Sequence, residues 1–292
     1  MRRSMLFLPG NTPSIIINGE ILGADAVILD LEDAVSPTEK DSARVLVRNA
    51  ISRMGFGGCE VIVRINATDT DYWKKDLDAI IPVRPAMIMP PKTGTAQDVL
   101  RVDEYISALE DRLGWPRNTV RLIPLIETAL GVENAFAIAS ASPRVAAIFL
   151  GGEDLTADLQ CKRTKQGDEI LYARCRMVCA ARAAGVDVYD TPFTDVNDDE
   201  GIYDDARKAK SLGFTGKSSI SPRHIEAINA VFSPTEAEIE YAREVLEAIR
   251  VGQEQGRGAV ALRGKMIDAP IVARARRTLE AARALGLERS EA

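Results

Sequence analysis

Short apolar segments alternate with longer amphipathic segments at a steady interval along most of this chain. Eight of them have the length of buried strands, and these are Met5–Leu8, Ala26–Leu31, Val61–Ile65, Ala86–Met89, Leu122–Ile126, Ala146–Leu150, Val186–Tyr189 and Lys217–Ile220. Most are apolar throughout, which is typical of parallel strands covered by helices. The segments between them have helical periodicity. The sequence therefore predicts an α/β fold made of repeated strand–helix units.

Two observations favour a closed barrel over an open, doubly wound sheet with the same alternation. The strand count is eight, and polar residues cluster directly after the strands, where a barrel of this kind places its active site. We therefore expect a (β/α)8 TIM barrel over residues 1–232. Residues 233–292 contain a long helix, a glycine-flanked link at 256–258 and a last helix after Pro270. This part is too short for its own core, so we expect a C-terminal helical extension that packs on the barrel or reaches a neighbouring subunit.

Composition excludes several classes of protein. The chain has 43 acidic and 37 basic residues, a net charge of −6, which argues against nucleic-acid binding. Every apolar run is far shorter than the roughly 20 residues of a membrane span, and the one after Arg3 is too short for a signal-peptide core. The four cysteines form no CxxC pair, and we expect Cys175 and Cys179 to be reduced, part-buried thiols. These features are typical of a cytoplasmic protein.

Charged residues stand at the predicted carboxyl ends of four strands. They are Asp30, Glu32 and Asp33 after the second strand, Arg64 in the third, Glu127 after the fifth, and Glu153 and Asp154 after the sixth. Glu127 and Asp154 are 27 positions apart, about one strand–helix step, so they should lie at adjacent strand ends. Two carboxylates with no imidazole nearby suit Mg²⁺ or Mn²⁺, with water or substrate completing the coordination. The alternative is that some of these acids are helix caps or solvated loop residues.

Arg64 follows three apolar residues, so we expect its head group at the mouth of the barrel. There it can hold a substrate carboxylate or a developing oxyanion. An ion pair with Glu32 or Asp33 is the alternative, and the two roles are compatible.

The remaining candidates for catalysis are few. Lys92 and Lys217 could form a Schiff base, although a lysine at a barrel mouth is more often a charge partner. His224 is the only histidine, and we expect it in the first turn of a helix as a surface or packing residue. A Ser-His-Asp triad or a multi-histidine metal site is therefore disfavoured.

Seven motifs in this order resemble those of the citrate lyase β-subunit (citryl thioester lyase) family, whose wider group includes malyl-CoA and citramalyl-CoA lyases. They are RSMLFLPG at residues 3–10, DLEDAV at 30–35, VRIN at 63–66, ET at 127–128, GGED at 151–154, GFTGKS at 213–218 and GKMID at 264–268. The resemblance runs from Arg2 to about Leu285.

The resemblance implies a barrel that binds Mg²⁺ through Glu127 and Asp154 and contacts the substrate through Arg64 and Glu127. It also implies an acid–base role for Asp268, which the tail would deliver to an adjacent subunit of a trimer-based homo-oligomer, a trimer or hexamer. From its position alone, Asp268 would be a helix-start residue before Pro270.

The implied activity is cleavage of a citryl thioester, on acyl carrier protein or CoA, to oxaloacetate and an acetyl thioester. Glu32 and Asp33 would hold metal-bound waters, and the implied partners are the citrate lyase α and γ (acyl carrier) subunits. CoA-dependent relatives tend to carry lysines where Ser14 and Asn18 stand and a histidine at Ser221, which favours the citrate lyase subunit. A stand-alone malyl-CoA or citramalyl-CoA lyase, a lysine-dependent aldolase and a non-catalytic assembly subunit are the alternatives.

Overall fold

The computed structural model describes residues 1–255 and 260–287 of the chain. These residues form two compact units, Arg2–Asn229 and a C-terminal unit that begins at Ala230, where the sequence predicts a division after residue 232. The predicted link at 256–258 lies outside the described residues. Among the described helices, none is both long and apolar enough to cross a membrane.

The first unit contains a parallel sheet of nine strands. They are β1 (Ser4–Pro9), β2 (Ala26–Asp30), β3 (Glu60–Arg64), β4 (Met87–Met89), β5 (Arg121–Leu122), β6 (Leu125–Ile126), β7 (Ala147–Leu150), β8 (Asp187–Asp190) and β9 (Gly216–Ser219). Their order in the sheet is β5-β4-β3-β2-β1-β9-β8-β7-β6. The first and last strands of the chain are neighbours, because β1 pairs with both β2 and β9.

The sheet closes into a barrel because β5 and β6 are two parts of one interrupted strand. Pro124 lies between them and has no amide hydrogen to donate, which accounts for the interruption. β5 pairs with β4, and β6 pairs with β7. Leu122 also bridges in parallel to Val145, just before β7. The nine strands therefore form the eight strands of a TIM barrel, as the sequence predicts.

Helices follow the strands and cover the outside of the barrel. They are α1 (Pro13–Ile17), α2 (Lys40–Arg53), α3 (Trp73–Ile80), α4 (Ala96–Arg112), α5 (Ala129–Glu133), α6 (Ala135–Ala139), α7 (Gly152–Asp158), α8 (Leu171–Ala184), α9 (Asp199–Leu212) and α10 (Ile225–Phe232). The expectation that Cys175 and Cys179 are part-buried is wrong. Both are exposed, because α8 buries the face that contains Ala173 and Met177.

The interior of the barrel is an apolar cluster. It contains Met5, Ala26, Ile28, Ile62, Met87, Met89, Ile123, Leu125, Ala147, Phe149 and Tyr189. Side chains alternate between the two faces of a strand, so the residue two positions after an interior one also points inward. Asp30 follows Ile28 in this way, and Glu127 follows Leu125. Polar residues at the carboxyl ends of the strands therefore extend the interior face to the mouth of the barrel.

The C-terminal unit contains α11 (Glu236–Glu254), a hairpin of β10 (Val260–Leu262) and β11 (Lys265–Ile267), and α12 (Ala269–Ala284). Its apolar cluster joins residues of both helices with Ile267 of the hairpin. Thr235 and Glu238 cap the start of α11 reciprocally.

Candidate active site

A cavity of about 440 Å³ opens at the carboxyl ends of the barrel strands. Its charged lining residues include Asp30, Asp33, Arg64, Glu127, Glu153 and Asp154, and its apolar ones include Phe7, Leu125 and Phe149. This is the end of the barrel at which TIM-barrel enzymes place their active sites. The structure therefore brings four of the predicted site residues, Asp33, Arg64, Glu127 and Asp154, into one cavity.

Arg64 is held at the cavity by a two-pronged ion pair. Its Nε donates to Asp30 Oδ1 at 2.7 Å, and its Nη2 donates to Asp30 Oδ2 at 2.6 Å. Its guanidinium carbon lies 5.2 Å from the centre of the Phe7 ring. Burial alone would lower the pKa of Arg64, but the hydrogen bonds and charge of Asp30 raise it, so Arg64 stays charged.

Glu32 and Asp33 lie near the remaining nitrogen of Arg64, and both also lie near Lys92. Glu32 Oε2 lies 3.0 Å from Arg64 Nη1, and Glu32 Oε1 lies 3.1 Å from Lys92 Nζ. Asp33 is more exposed and lies 3.7 Å and 3.9 Å from the same two cations. Burial raises the pKa of Glu32, although the charge of Arg64 opposes the shift. The acids that were expected to hold metal-bound waters are thus paired here with basic side chains.

The backbone after β2 is fixed by local hydrogen bonds. Asp30 accepts from the amides of Glu32 at 2.9 Å and Ala34 at 3.2 Å. Lys40 Nζ donates to the carbonyls of Leu31 at 2.7 Å and Glu32 at 2.6 Å. This turn presents Glu32 to Arg64.

Glu127 follows β6 and is almost fully buried at the cavity floor. Its Oε1 accepts a hydrogen bond of 2.7 Å from the backbone amide of Lys92. Burial first, and then the negative charge of Asp154, raise the pKa of Glu127 to about 8. The carboxyl group is therefore largely protonated at neutral pH when no cation is present.

Asp154 lies in the first turn of α7, the helix after β7. The start of this helix is fixed by the amide of Gly152, which donates to Thr191 Oγ1 at 2.9 Å. Because β6 and β7 are paired neighbours, Glu127 and Asp154 reach the same cavity from adjacent strands.

The chemistry of these residues fits a hard divalent cation. Burial and, after it, repulsion by Asp154 raise the pKa of Glu127, and a cation held by the two carboxylates would offset both effects. No group of three or more histidine, cysteine or acidic side chains converges within the described residues. The protein would thus supply two carboxylates, which leaves positions for water or substrate, as is common for Mg²⁺.

Lys217 and His224 lie outside the cavity lining. Lys217 is fully buried, with Nζ at 2.7 Å from Asp190 and 2.6 Å from Asp205, so it is a charge partner in the barrel wall. His224 is fully buried just before α10 and packs 6.0 Å from Phe193, which confirms the expected packing role. Neither residue is placed for chemistry in the cavity.

Asp268 lies in the C-terminal unit, where it caps α12. Its Oδ1 accepts a hydrogen bond of 3.1 Å from the amide of Ile271, and the residue is exposed. The helix-start position expected from Pro270 is confirmed. Its acid–base role at a neighbouring subunit stays a prediction.

Two relationships in the site were missed by sequence reasoning. One is the Asp30–Arg64 pair, although strand alternation places both side chains on the interior face. The other is the position of Gly151, where a Cβ would lie 2.7 Å from Glu127 Oε2. In the sequence, Gly151 carries no sign of this contact other than its place after a buried strand.

The family model for HpcH/HpaI aldolase/citrate lyase matches residues 3–222. The chain is 44% identical over 291 residues to the citrate lyase subunit beta of Leuconostoc mesenteroides subsp. cremoris, covering 100% of this chain and 96% of that one. It is 41% identical over 286 residues to the citrate lyase subunit beta of Escherichia coli strain K12, covering 98% and 95%. The L-malyl-CoA/beta-methylmalyl-CoA lyase of Cereibacter sphaeroides is 34% identical, with 91% of this chain and 90% of that one covered.

Two solved structures resemble this chain closely. Protein CitE from Mycobacterium tuberculosis, in complex with magnesium, acetoacetate and coenzyme A, superposes with a TM-score of 0.77 at 32% identity, covering 96% of this chain and 98% of that one. The citrate lyase β subunit from M. tuberculosis, complexed with oxaloacetate and magnesium, superposes with a TM-score of 0.68 at 30% identity, covering 80% and 97%.

Proposed function

This chain belongs to the HpcH/HpaI aldolase/citrate lyase family, and we propose that it is a Mg²⁺-dependent carbon–carbon lyase of the citrate lyase β-subunit type. Its reaction is the cleavage of a citryl thioester to oxaloacetate and an acetyl thioester. The observation that carries this proposal is the convergence of Glu127, Asp154 and Arg64 on one cavity at the carboxyl end of the barrel. The relatives at 41–44% identity over nearly the whole chain support this substrate.

Glu127 and Asp154 would hold the metal, and the substrate would occupy part of its coordination. The chemistry that bound Mg²⁺ supplies here is Lewis acidity toward the hydroxyl and carboxylate oxygens that become the 2-oxo acid. Glu127 and Asp154 would thereby orient the substrate in a cavity whose lining also includes Phe7, Leu125 and Phe149. The hydroxyl proton would pass to solvent. As the bond between the carbinol carbon and the thioester methylene breaks, its electron pair would form the enolate of the acetyl thioester.

Arg64 would stabilise the negative charge that the thioester oxygen gains as the bond breaks. Its Nε and Nη2 are engaged by Asp30, which fixes the plane of the guanidinium before substrate binds. Preorganised donors of this kind lose little energy to reorganisation during the reaction. Asp30 is therefore the positioning partner that makes Arg64 an effective donor.

Asp268 would relay a proton from solvent to the methylene carbon of the acetyl thioester enolate. The tail of an adjacent subunit in a trimer-based homo-oligomer would bring Asp268 to the site. The resemblance to the family supports this role. Association with citrate lyase α and γ subunits, the latter carrying the thioester, follows from the same assignment.

The proposal is tested by an assay with citryl, malyl and citramalyl thioesters, each on CoA and on acyl carrier protein, with Mg²⁺ and with EDTA. We expect citryl thioester to be cleaved fastest, on carrier protein, and only with Mg²⁺. Faster cleavage of malyl-CoA or citramalyl-CoA would assign the chain to the lyases represented by the 34% relative. Activity that survives EDTA would overturn the metal-dependent mechanism.

A further inference from the structure

The backbone of two residues, Lys92 and Gly151, lies close to the carboxylate of Glu127. Oε1 accepts from the amide of Lys92 at 2.7 Å. On the other side, a Cβ built on Gly151 would lie 2.7 Å from Oε2 and 2.8 Å from the Cβ of Glu127. Real Cβ atoms do not approach so closely, so the carboxylate lies in a slot that only glycine leaves open.

The first wall of this slot is a strained residue. Lys92 has a φ of +52°, in the left-handed region that a residue with a Cβ enters at a cost of about 1–2 kcal/mol. Its amide points at Glu127, and its Nζ lies 3.1 Å from Glu32 Oε1. The strain is thus retained at a residue whose backbone contacts Glu127 and whose side chain contacts Glu32.

The second wall follows from strand register. Leu125 pairs with Phe149 and Ile126 with Leu150 in the parallel pair β6–β7. Continuing this register by one residue places Glu127 opposite Gly151. Both residues continue the interior face of their strands, so any side chain at Gly151 would point at Glu127.

We propose that Lys92 and Gly151 are positioning residues that hold the Glu127 carboxylate in one orientation and so make the site selective for Mg²⁺ over Ca²⁺. This inference rests on the proposed function, because it takes Glu127 as a metal ligand. Mg²⁺ requires near-ideal octahedral geometry at short distances, whereas Ca²⁺ accepts longer and more variable coordination. Loosening or shifting Glu127 should therefore weaken Mg²⁺ binding more than Ca²⁺ binding.

The test is calorimetric titration of the metal-free full-length protein with MgCl2 and with CaCl2. Gly151→Ala should weaken Mg²⁺ binding by about 10- to 100-fold, the range for partners that orient metal ligands, and Ca²⁺ binding much less. Gly94→Ala is the matched control. A Cβ there would meet only ordinary contacts at 3.6 Å and 3.8 Å, so both affinities should stay at the wild-type values.

A second variant leaves every side chain in place. Replacing Lys92 by its α-hydroxy analogue converts the amide to an ester, so the hydrogen-bond donor to Glu127 is replaced by an ester oxygen while the Lys92 side chain is kept. We expect the same selective loss of Mg²⁺ affinity, with an unchanged circular dichroism spectrum. This variant decides the question if Gly151→Ala does not fold.

The outcomes separate this inference from the proposed function. A wild-type protein that binds no Mg²⁺ would overturn the proposed metal site, and the slot with it. If the wild-type protein binds Mg²⁺ but the folded variants keep its ratio of Mg²⁺ to Ca²⁺ affinity, the positioning role of Lys92 and Gly151 is overturned. The proposed metal site then stands. A selective loss of Mg²⁺ affinity in the variants supports the positioning role.

Discussion

Arg64 and Asp30 face each other across the paired ends of β3 and β2, joined by two parallel hydrogen bonds of 2.7 Å and 2.6 Å. The fork of the guanidinium is thus matched by a carboxylate that is itself held by two backbone amides. Two parallel hydrogen bonds of this kind restrict the orientation of the guanidinium relative to the carboxylate. The arginine that is proposed to meet the substrate is therefore fixed before substrate arrives.

Asp30→Asn should destabilise the protein and weaken catalysis together. The side chain of Asp30 is buried, so the substitution leaves the charge of Arg64 without its main partner. Breaking a buried pair in this way typically costs about 3–5 kcal/mol, and retention of Glu32 beside Arg64 should keep the loss at the lower end. Urea unfolding of wild type and variant measures this loss. A variant with wild-type stability would show that Glu32 and Asp33 hold Arg64 without Asp30.

Arg64→Lys keeps the positive charge but loses the planar fork. If Arg64 meets the developing oxyanion, kcat should fall by roughly 100-fold with a smaller change in KM. A rise in KM with kcat unchanged would instead mean that Arg64 anchors a ground-state carboxylate. Steady-state kinetics with citryl thioester distinguish the two. Normal values of both would reduce Arg64 to a structural ion pair.

Mg²⁺ binding should depend on pH through Glu127. With a pKa of about 8, this group is protonated in the metal-free protein at pH 7 and must lose its proton to bind a cation. Mg²⁺ affinity should therefore rise about tenfold per pH unit below pH 8 and level off above it. Calorimetry in buffers of different ionisation enthalpy should detect up to one proton released per Mg²⁺ at pH 7.

Glu127→Gln removes both the negative ligand and the titrating group. The variant should lose most Mg²⁺ affinity and the associated proton release, while its fold is retained. Asp204→Asn makes the same carboxyl-to-amide change at an exposed acid on α9, away from the cavity, and serves as the control. Proton release that persists in Glu127→Gln would assign the titration to another group.

His224 should make the protein less stable in mild acid. Burial lowers its pKa, and both ring nitrogens lack a hydrogen-bond partner within the described part of the chain. The unfolded chain then binds more protons than the folded one, so stability is full above the ordinary pKa of 6.5 and falls as pH drops below it. Unfolding free energies at pH 7.5 and 5.5 measure the fall.

His224→Leu should reduce that fall, because leucine does not titrate and can keep the packing against Phe193. The other titratable groups are the same in the wild-type protein and the variant. The difference between the pH dependences of their unfolding free energies therefore measures the contribution of His224. Equal pH dependence of wild type and variant would mean that His224 does not titrate in this range.

The barrel could be predicted from the sequence because strand length, helical periodicity and polar strand ends are local patterns. The same patterns placed Glu127 and Asp154 on adjacent strands. Pro124 splits the fifth strand into β5 and β6, and no count of apolar residues reveals where that interruption falls.

The finer geometry of the site depends on contacts between residues distant in sequence. Asp30 and Arg64 could have been paired by strand alternation, since each ends an interior face. The left-handed backbone at Lys92 could not be predicted from the sequence, because glycine or asparagine is the usual residue in that conformation. The close approach of Gly151 to Glu127 could not be predicted either, because it depends on the register of β6 and β7.

The proposed role of Asp268 makes a prediction for mixed oligomers. Glu127→Gln and Asp268→Asn should each be nearly inactive alone, the first through its metal site and the second through proton transfer. Mixing them by subunit exchange should restore activity if the tail of one subunit completes the barrel of another. A working site needs a barrel from Asp268→Asn and a tail from Glu127→Gln. With equal amounts and random assembly, about a quarter of the sites should recover.

The control is a mixture of each variant with itself, which should stay inactive, while exchange of differently tagged subunits is confirmed by mass measurement. If Asp268 serves its own barrel, every chain in the mixture has either a defective metal site or a defective tail, and no site is complete. If activity does not recover although exchange is confirmed, Asp268 does not act in the barrel of a neighbouring subunit. Recovery near a quarter of wild-type activity would establish a site shared between two subunits, because no arrangement within one chain of either variant can produce it.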